Sequence, residues 1–422
     1  MIQRYLGNKA TIVNSIIEEI DSICEKGDYV CDIFAGTMSV AVNLKLSGYK
    51  VIANDINSFS YIFGESYIIN NTIPEINFEL LDFNPNLFSD EAELYVSLLD
   101  TDDFGYKFLK NKINRAKYVN FIIVLLYLES ISNSDISKQF QNNYFFDYYT
   151  EKGKKSTFKS SRGTVGKRKF FSPENGKKID YILNKIREWN NHNLIDSNLY
   201  YLLVSILLVS VEKISNTQGT YHDFIRDSYD SRALNNLKLL FPKFDLILSK
   251  QDGHIIGKER DSLDFIKEVP KHKVLYLDPP YNFRQYTSYY FMLNLIADYC
   301  KIENLKDYFN NIQFVRGQNM NKDFSSSFCK NSLFISSLYQ LISDADTEWV
   351  IMSYYNGKNH KSNSNHEDNL ILDELHTLFN SVLFESNSLK IKHLERTNYQ
   401  SYGGHTASKI NEILYIAKKA KL

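Results

Sequence analysis

Hydrophobic and polar positions change period along this chain, and the changes divide it into an α/β beginning, a helical middle and an α/β end. Ile12, Val13, Ile16, Ile17 and Ile20 recur at helical spacing and predict an amphipathic helix up to Ile23. Residues 29–34 read as a strand, Ala35-Gly36-Thr37 as a tight turn and 38–46 as a helix. A second strand, 50–53, closes on Asn54-Asp55-Ile56-Asn57. From Pro74 to Lys243 the rhythm lapses into helices with long polar loops. The longest apolar run there, 200–211, ends at Glu212-Lys213 and is too short to cross a bilayer, so a core helix is expected and no membrane association. The α/β pattern resumes with strands at 244–248, 254–258 and 274–277, helices at 286–300 and 328–342, and a strand at 348–353. Strands at 388–394 and 411–417 then form a closing hairpin, which predicts an antiparallel sheet edge. The expected organisation is an α/β domain made of 1–73 and 244–422, interrupted by a mostly helical insert at 74–243. No internal repeat is visible.

The strand at 274–277 runs into Asp278-Pro279-Pro280-Tyr281. Neither proline has an N–H for a ladder, so the strand must stop there and the chain must turn. In an open α/β sheet the carboxyl edge thus created is where ligands bind. A carboxylate, a carbonyl and an aromatic ring at that edge suit a planar exocyclic base amine. Asp278 can accept one amine hydrogen and the Pro279 carbonyl the other, while the Tyr281 ring offers a stacking face for a flipped-out base.

The turn at Ala35-Gly36-Thr37, between a strand and a helix, has the form of a nucleotide-cofactor cradle. It holds one glycine, and the chain has no GxxxxGK[ST] loop, which favours a ligand without phosphates. Asp32, near the end of the strand, is placed to meet a ligand's ammonium group. Asp55 follows Gly36 by 19 residues, the spacing at which ribose hydroxyls are held. Asp261 or Ser262, after the strand at 254–258, can reach an adenine ring. Tyr5, Gly7 and Lys9, just before the first helix, can form a lip over the ligand, with the glycine allowing close approach and the lysine supplying charge.

Composition adds little until it is mapped. Lys and Arg total 49 against 50 Asp and Glu. Residues 152–178, however, hold ten basic side chains and one acidic one, a local +9 that leaves −10 for the rest. A basic insert on an acidic body is a candidate phosphate-tracking surface, with Lys167, Arg168 and Lys169 at its centre. The polar turn around Gly219, with Thr220 and Tyr221, is a second candidate for reaching into a groove. The four cysteines form no CxxC pair, which fits a reduced cytoplasmic protein without a structural zinc site; no metal is expected. The chain opens on no basic and apolar leader, so no signal peptide is expected.

In combination and in this order, the motifs resemble those of site-specific DNA adenine methyltransferases of the Dam-like group. The likeness covers roughly 1–70 and 245–422. The group's first cofactor motif falls on Tyr5, Gly7 and Lys9, its glycine-turn motif on Asp32, Phe34, Ala35, Gly36 and Thr37, its ribose acid on Asp55, and its catalytic tetrad on Asp278, Pro279, Pro280 and Tyr281. The first motif has Tyr where some members have Trp, and a ring is kept. The resemblance implies S-adenosylmethionine as cofactor, bound partly against Asp278. It implies a Rossmann-like methyltransferase sheet with an antiparallel last strand, and an insert that serves as the target-recognition domain. The implied reaction is methyl transfer to the exocyclic N6 amine of a flipped-out adenine in double-stranded DNA, with a cognate restriction endonuclease as a possible partner. Methylation of the cytosine N4 amine, methylation of RNA or protein, and a non-catalytic DNA-binding role are the alternatives. An acid at the head of the tetrad favours adenine over cytosine. The separation of 246 positions between Asp32 and Asp278, with the basic cluster inside it, favours DNA.

Overall fold

A computed structural model describes residues 9–217, 219–221, 227–280, 285–356, 368–397 and 409–421. Tyr5, Gly7 and Tyr281 lie outside the described residues. The strands are β1 (Tyr29–Asp32), β2 (Lys50–Ala53), β3 (Thr157–Lys159), β4 (Val165–Lys167), β5 (Ile255–Ile256), β6 (His272–Leu277), β7 (Thr347–Asn356), β8 (Lys390–Thr397) and β9 (Lys409–Lys418). Seven of them form one sheet in the order β5-β2-β1-β6-β7-β9-β8, and β3 and β4 form a separate hairpin. The pairs from β5 through β7 are parallel, whereas β9 runs antiparallel to both β7 and β8. This is a Rossmann-like α/β sheet with antiparallel last strands.

The sheet is covered on both faces, which is why its central strands are apolar at successive positions. Val30, Val274, Tyr276 and Ile351 face a core shared with the helices Ser197–Ile214 and Phe291–Asp298. Cys31, Leu275, Leu277, Val350 and Met352 face the opposite core, under Phe334–Asp344 and Asp368–Phe379. After β1 the chain moves outward through β2 to β5, then returns to lay β6 on the other side of β1. The β1–β6 boundary is therefore the point where the winding reverses, and a crevice opens there at the carboxyl ends.

The residues between β2 and β5 contribute the helices Ser89–Ser97, Lys112–Ser130, Tyr144–Tyr149, Pro173–Asn191 and Ser197–Ile214, together with the β3–β4 hairpin. Their apolar sides continue the core on the first face of the sheet. The apolar run at 200–211 lies in the last of these helices. By length and composition alone that helix is long enough to cross a membrane, but 78% of it is buried inside the protein.

Several elements differ from the sequence pattern. Residues 244–248 are not a strand: a 3-10 turn spans Phe244–Leu246. The Phe244 ring packs edge-on against Phe108, Tyr118 and Phe121. Asp245 accepts backbone N–H groups from Gly105, Lys107 and Phe108, so the segment finds its partners in the helical region. The strand expected at 254–258 shrinks to β5 because the Val51 N–H is taken by His254 Nδ1. The helix expected at 286–300 breaks at Tyr290 into Tyr286–Tyr289 and Phe291–Asp298. The one at 328–342 begins only at Phe334, after a 3-10 turn over Ser327–Cys329.

Candidate active site

The register of the central strands assembles the site. Asp32 ends β1 and lies opposite Ala53 on one side and Tyr276 on the other. Asp55 therefore follows the end of β2, and Asp278 the end of β6, on either side of Asp32. The chain leaves β1 through a tight turn in which Gly36 has φ +49°, a region that costs glycine little. Met38 also takes a left-handed conformation, φ +61°, just before the helix Ser39–Leu46 begins. Asp55 Oδ2 accepts the Gly36 N–H at 3.0 Å, and Oδ1 accepts the backbone N–H and side-chain amide of Asn57. The acid thus ties the glycine turn to the end of β2.

Two compartments meet at Phe34 and Asp278. The inner one is lined by Lys9, Asp32, Ala35, Gly36, Thr37 and Tyr276. The outer one is a cleft whose walls include Asn54, Asp55, Asp261, Ser262, Pro279 and Pro280. The structure brings all the described cofactor candidates to this one place. Asp261 caps the short helix Ser262–Phe265 by accepting the Leu263 N–H, and Ser262 begins that helix, so both face the cleft from a helix start rather than a strand end. Sequence reading missed Asn54, Asn57, Gln285, Thr287, Phe324 and Ser326 on the same walls. Asn54 and Asn57 flank Asp55, a signal that was available; Phe324 and Ser326 sit in a polar loop with none.

Electrostatics single out Asp32. It is buried, and its Oδ1 has no hydrogen-bond partner among the described residues. Burial, with Asp278 and Asp55 adding repulsion, holds its carboxyl well above the ordinary carboxylate range. Burial also raises Asp55, against the opposing pull of the donors it accepts from Asn57 and Gly36. The cation in the inner compartment is Lys9, whose Nζ lies 2.9 Å from Asp278 Oδ1. Among the described residues no group of three or more His, Cys, Asp or Glu is arranged to hold a metal.

The DNA-facing candidates lie elsewhere. Arg168 departs from its expected role: it is 4% exposed, and its guanidinium donates to the carbonyls of Lys155, Phe314 and Val315. A guanidinium so engaged is structural, bracing the hairpin against the segment at 314–317. Lys167 and Lys169, half-buried, donate to the carbonyls of Gly153 and Asp227. Thr220 and Tyr221 are also buried, Tyr221 between the rings of Phe170 and Phe291, so neither extends outward as the polar turn suggested. Burial of an aromatic ring outweighs the polarity of its neighbours in sequence.

A family model for D12 class N6 adenine-specific DNA methyltransferases matches residues 5–348. The chain belongs to this family. Its activity is accordingly that of an adenine-specific DNA methyltransferase, with a methyl donor and DNA as substrates. The chain is 29% identical over 356 residues to the type II methyltransferase M.NlaIII of Neisseria lactamica, covering 83% of each. It is 27% identical to the type II methyltransferase M.FokI of Planomicrobium okeanokoites and 25% identical to the modification methylase StsI of Streptococcus sanguinis. Those two alignments span 99% of this chain and 52% of each relative, so the chain spans about half of their length.

Proposed function

We propose that this methyltransferase binds S-adenosylmethionine in the two joined compartments and methylates a flipped-out adenine held against Asp278, Pro279, Pro280 and Tyr281. The observation that carries the reading is the buried Oδ1 of Asp32, which has no hydrogen-bond partner among the described residues and borders a compartment whose lining includes the glycine turn, Lys9, Tyr276 and Asp278. A buried carboxylate of that kind fits an ammonium group. Asp55, on the outer side, fits ribose hydroxyls. Phe34, Ile33 and Ile56 give the outer cleft apolar walls for an adenine ring, with Asp261 and Ser262 at its edge. The cofactor supplies an electrophilic methyl group. The protein's part is to orient the amine and draw its hydrogens onto Asp278 and the Pro279 carbonyl, which exposes the nitrogen lone pair for in-line attack.

The helical region at 74–243 serves in this reading as the target-recognition part. Its β3–β4 hairpin carries exposed Lys159 and Arg162, with exposed Lys152, Lys154 and Lys155 beside it. Lys167 ends β4 and Lys169 follows it by two residues. Replacing Lys167 and Lys169 by alanine is expected to weaken DNA binding for all sequences. It should also reduce the salt dependence of log Kd by about one for each phosphate no longer neutralised. Titrations at several salt concentrations check this, and an unchanged slope would leave these lysines as local struts. The cellular role we assign is modification in the cytoplasm, paired with a cognate restriction endonuclease, since the relatives named above are type II and modification enzymes.

The deciding assay supplies labelled S-adenosylmethionine and unmethylated genomic DNA, followed by nucleoside analysis and sequencing that reads modified bases. N6-methyladenine confined to one short motif is the expected product. Label in N4-methylcytosine, or no label in DNA, would overturn the reading.

A further inference from the structure

Strand β9 is apolar from Ile413 to Ala417, yet Glu412 sits just before that run and is completely buried. Its Oε1 lies 2.6 Å from Lys9 Nζ, and the Ser353 hydroxyl of β7 donates to the same oxygen at 2.6 Å. Lys9, 2% exposed, thereby bridges Glu412 and Asp278. Glu412 does not line either compartment of the site; it reaches the inner one through its pair with Lys9, which does. It also lies beyond the stretch matched by the family model.

A buried carboxylate is costly unless paired, so one retained inside a sheet calls for a reason. Lysine offers one. Its ammonium is a compact charge on a flexible four-carbon stem and does not hold a fixed position unaided. Here the last antiparallel strand supplies the anchor. The first helix, Val13–Asp21, is docked against the same hairpin: Glu19 pairs with Lys390 at 2.7 Å and Lys392 at 3.0 Å. The N-terminal segment is thus clamped to the C-terminal hairpin at both its lysine and its helix.

We propose that Glu412 is a positioning residue for methyl transfer: oriented by Ser353, it fixes Lys9, and Lys9 fixes the carboxylate of Asp278 that receives the adenine amine. The role rests on the assignment of Asp278 as that acceptor. The test is Glu412→Gln, which keeps the shape and an acceptor oxygen but removes the charge, measured by single-turnover transfer and by calorimetric binding of S-adenosylmethionine. Transfer should slow about tenfold while cofactor Kd changes less than about twofold. In a Lys9→Met background the same substitution should cause no further loss, because the lysine it acts through is gone. Unchanged transfer in Glu412→Gln, or losses that multiply in the double variant, would overturn the proposal. If Glu412→Gln does not fold, Ser353→Ala decides: it should slow transfer about threefold with the same dependence on Lys9, and wild-type transfer would overturn the proposal. Loss of transfer in Asp278→Ala alongside an unaffected Glu412→Gln would remove only the positioning role. Full transfer in Asp278→Ala would remove the acceptor assignment itself.

Discussion

Asp278→Ala is expected to lower the single-turnover rate of methyl transfer by about a thousandfold or more while leaving S-adenosylmethionine binding nearly intact. The adenine amine is a poor nucleophile because its lone pair is conjugated with the ring. The acceptor that pulls on its hydrogens works most strongly as the nitrogen becomes tetrahedral, so its removal falls on the chemical step. The cofactor's ammonium and ribose ends are assigned to Asp32 and Asp55, which the substitution does not touch. One electrostatic consequence favours the cofactor. Asp278 is a source of the repulsion that raises the Asp32 carboxyl, second to burial, and its loss makes Asp32 easier to ionise. Asp278→Asn retains an acceptor oxygen and should lose less. Rapid-quench transfer assays with calorimetric cofactor titrations measure both quantities. Transfer within about tenfold of wild type in Asp278→Ala would refute the assignment.

The second large effect is at Asp32. Its substitution by asparagine should weaken S-adenosylmethionine binding by about 10- to 100-fold, the equivalent of ~1.5–3 kcal/mol for a hydrogen bond to a charged group. The pH dependence follows from the direction of its shift. Folding carries Asp32 from an ordinary value of 3.8 to a much higher one, so the folded, cofactor-free protein binds the proton more tightly than the unfolded chain. The stabilisation this group offers is full below the unfolded value and is lost as pH rises through the interval between the two. In Asp32→Asn that decline disappears, and the cofactor-free variant should be the more stable protein at neutral pH. Binding reverses the balance: an ammonium group at Oδ1 favours the carboxylate, so cofactor binding should release a proton from Asp32. Calorimetry in buffers of different ionisation enthalpy detects that proton in the wild type. Equal release in Asp32→Asn would assign it elsewhere.

The parts of the site legible in the sequence are those encoded by backbone chemistry over a few residues. Two prolines without N–H groups end β6 wherever they are placed, and one glycine at φ +49° lets β1 turn into a helix. Strand, turn, helix and strand follow one another so closely that Asp32 and Asp55 must reach the same sheet edge. Order along the chain then sufficed to connect Asp278 to them, because parallel strands share one carboxyl edge.

Tertiary structure alone decided the rest, for reasons of distance and burial. Lys9 and Glu412 are 403 residues apart, and nothing local to either predicts their contact. Glu412 was visible as a charge inside an apolar strand, but only the β7–β9 pairing shows that it points into the protein rather than into water. Composition counted Arg168 with its neighbours as surface charge, whereas three backbone carbonyls claim its guanidinium. Phe244 reads as a strand residue by hydrophobicity and became a core ring of the helical region, since apolar side chains specify burial and not the element that provides it. By itself the sequence determined the chemistry of the sheet edge, because that chemistry is local. The partners of the buried charges were settled only by folding, because a charge's solvation depends on everything packed around it.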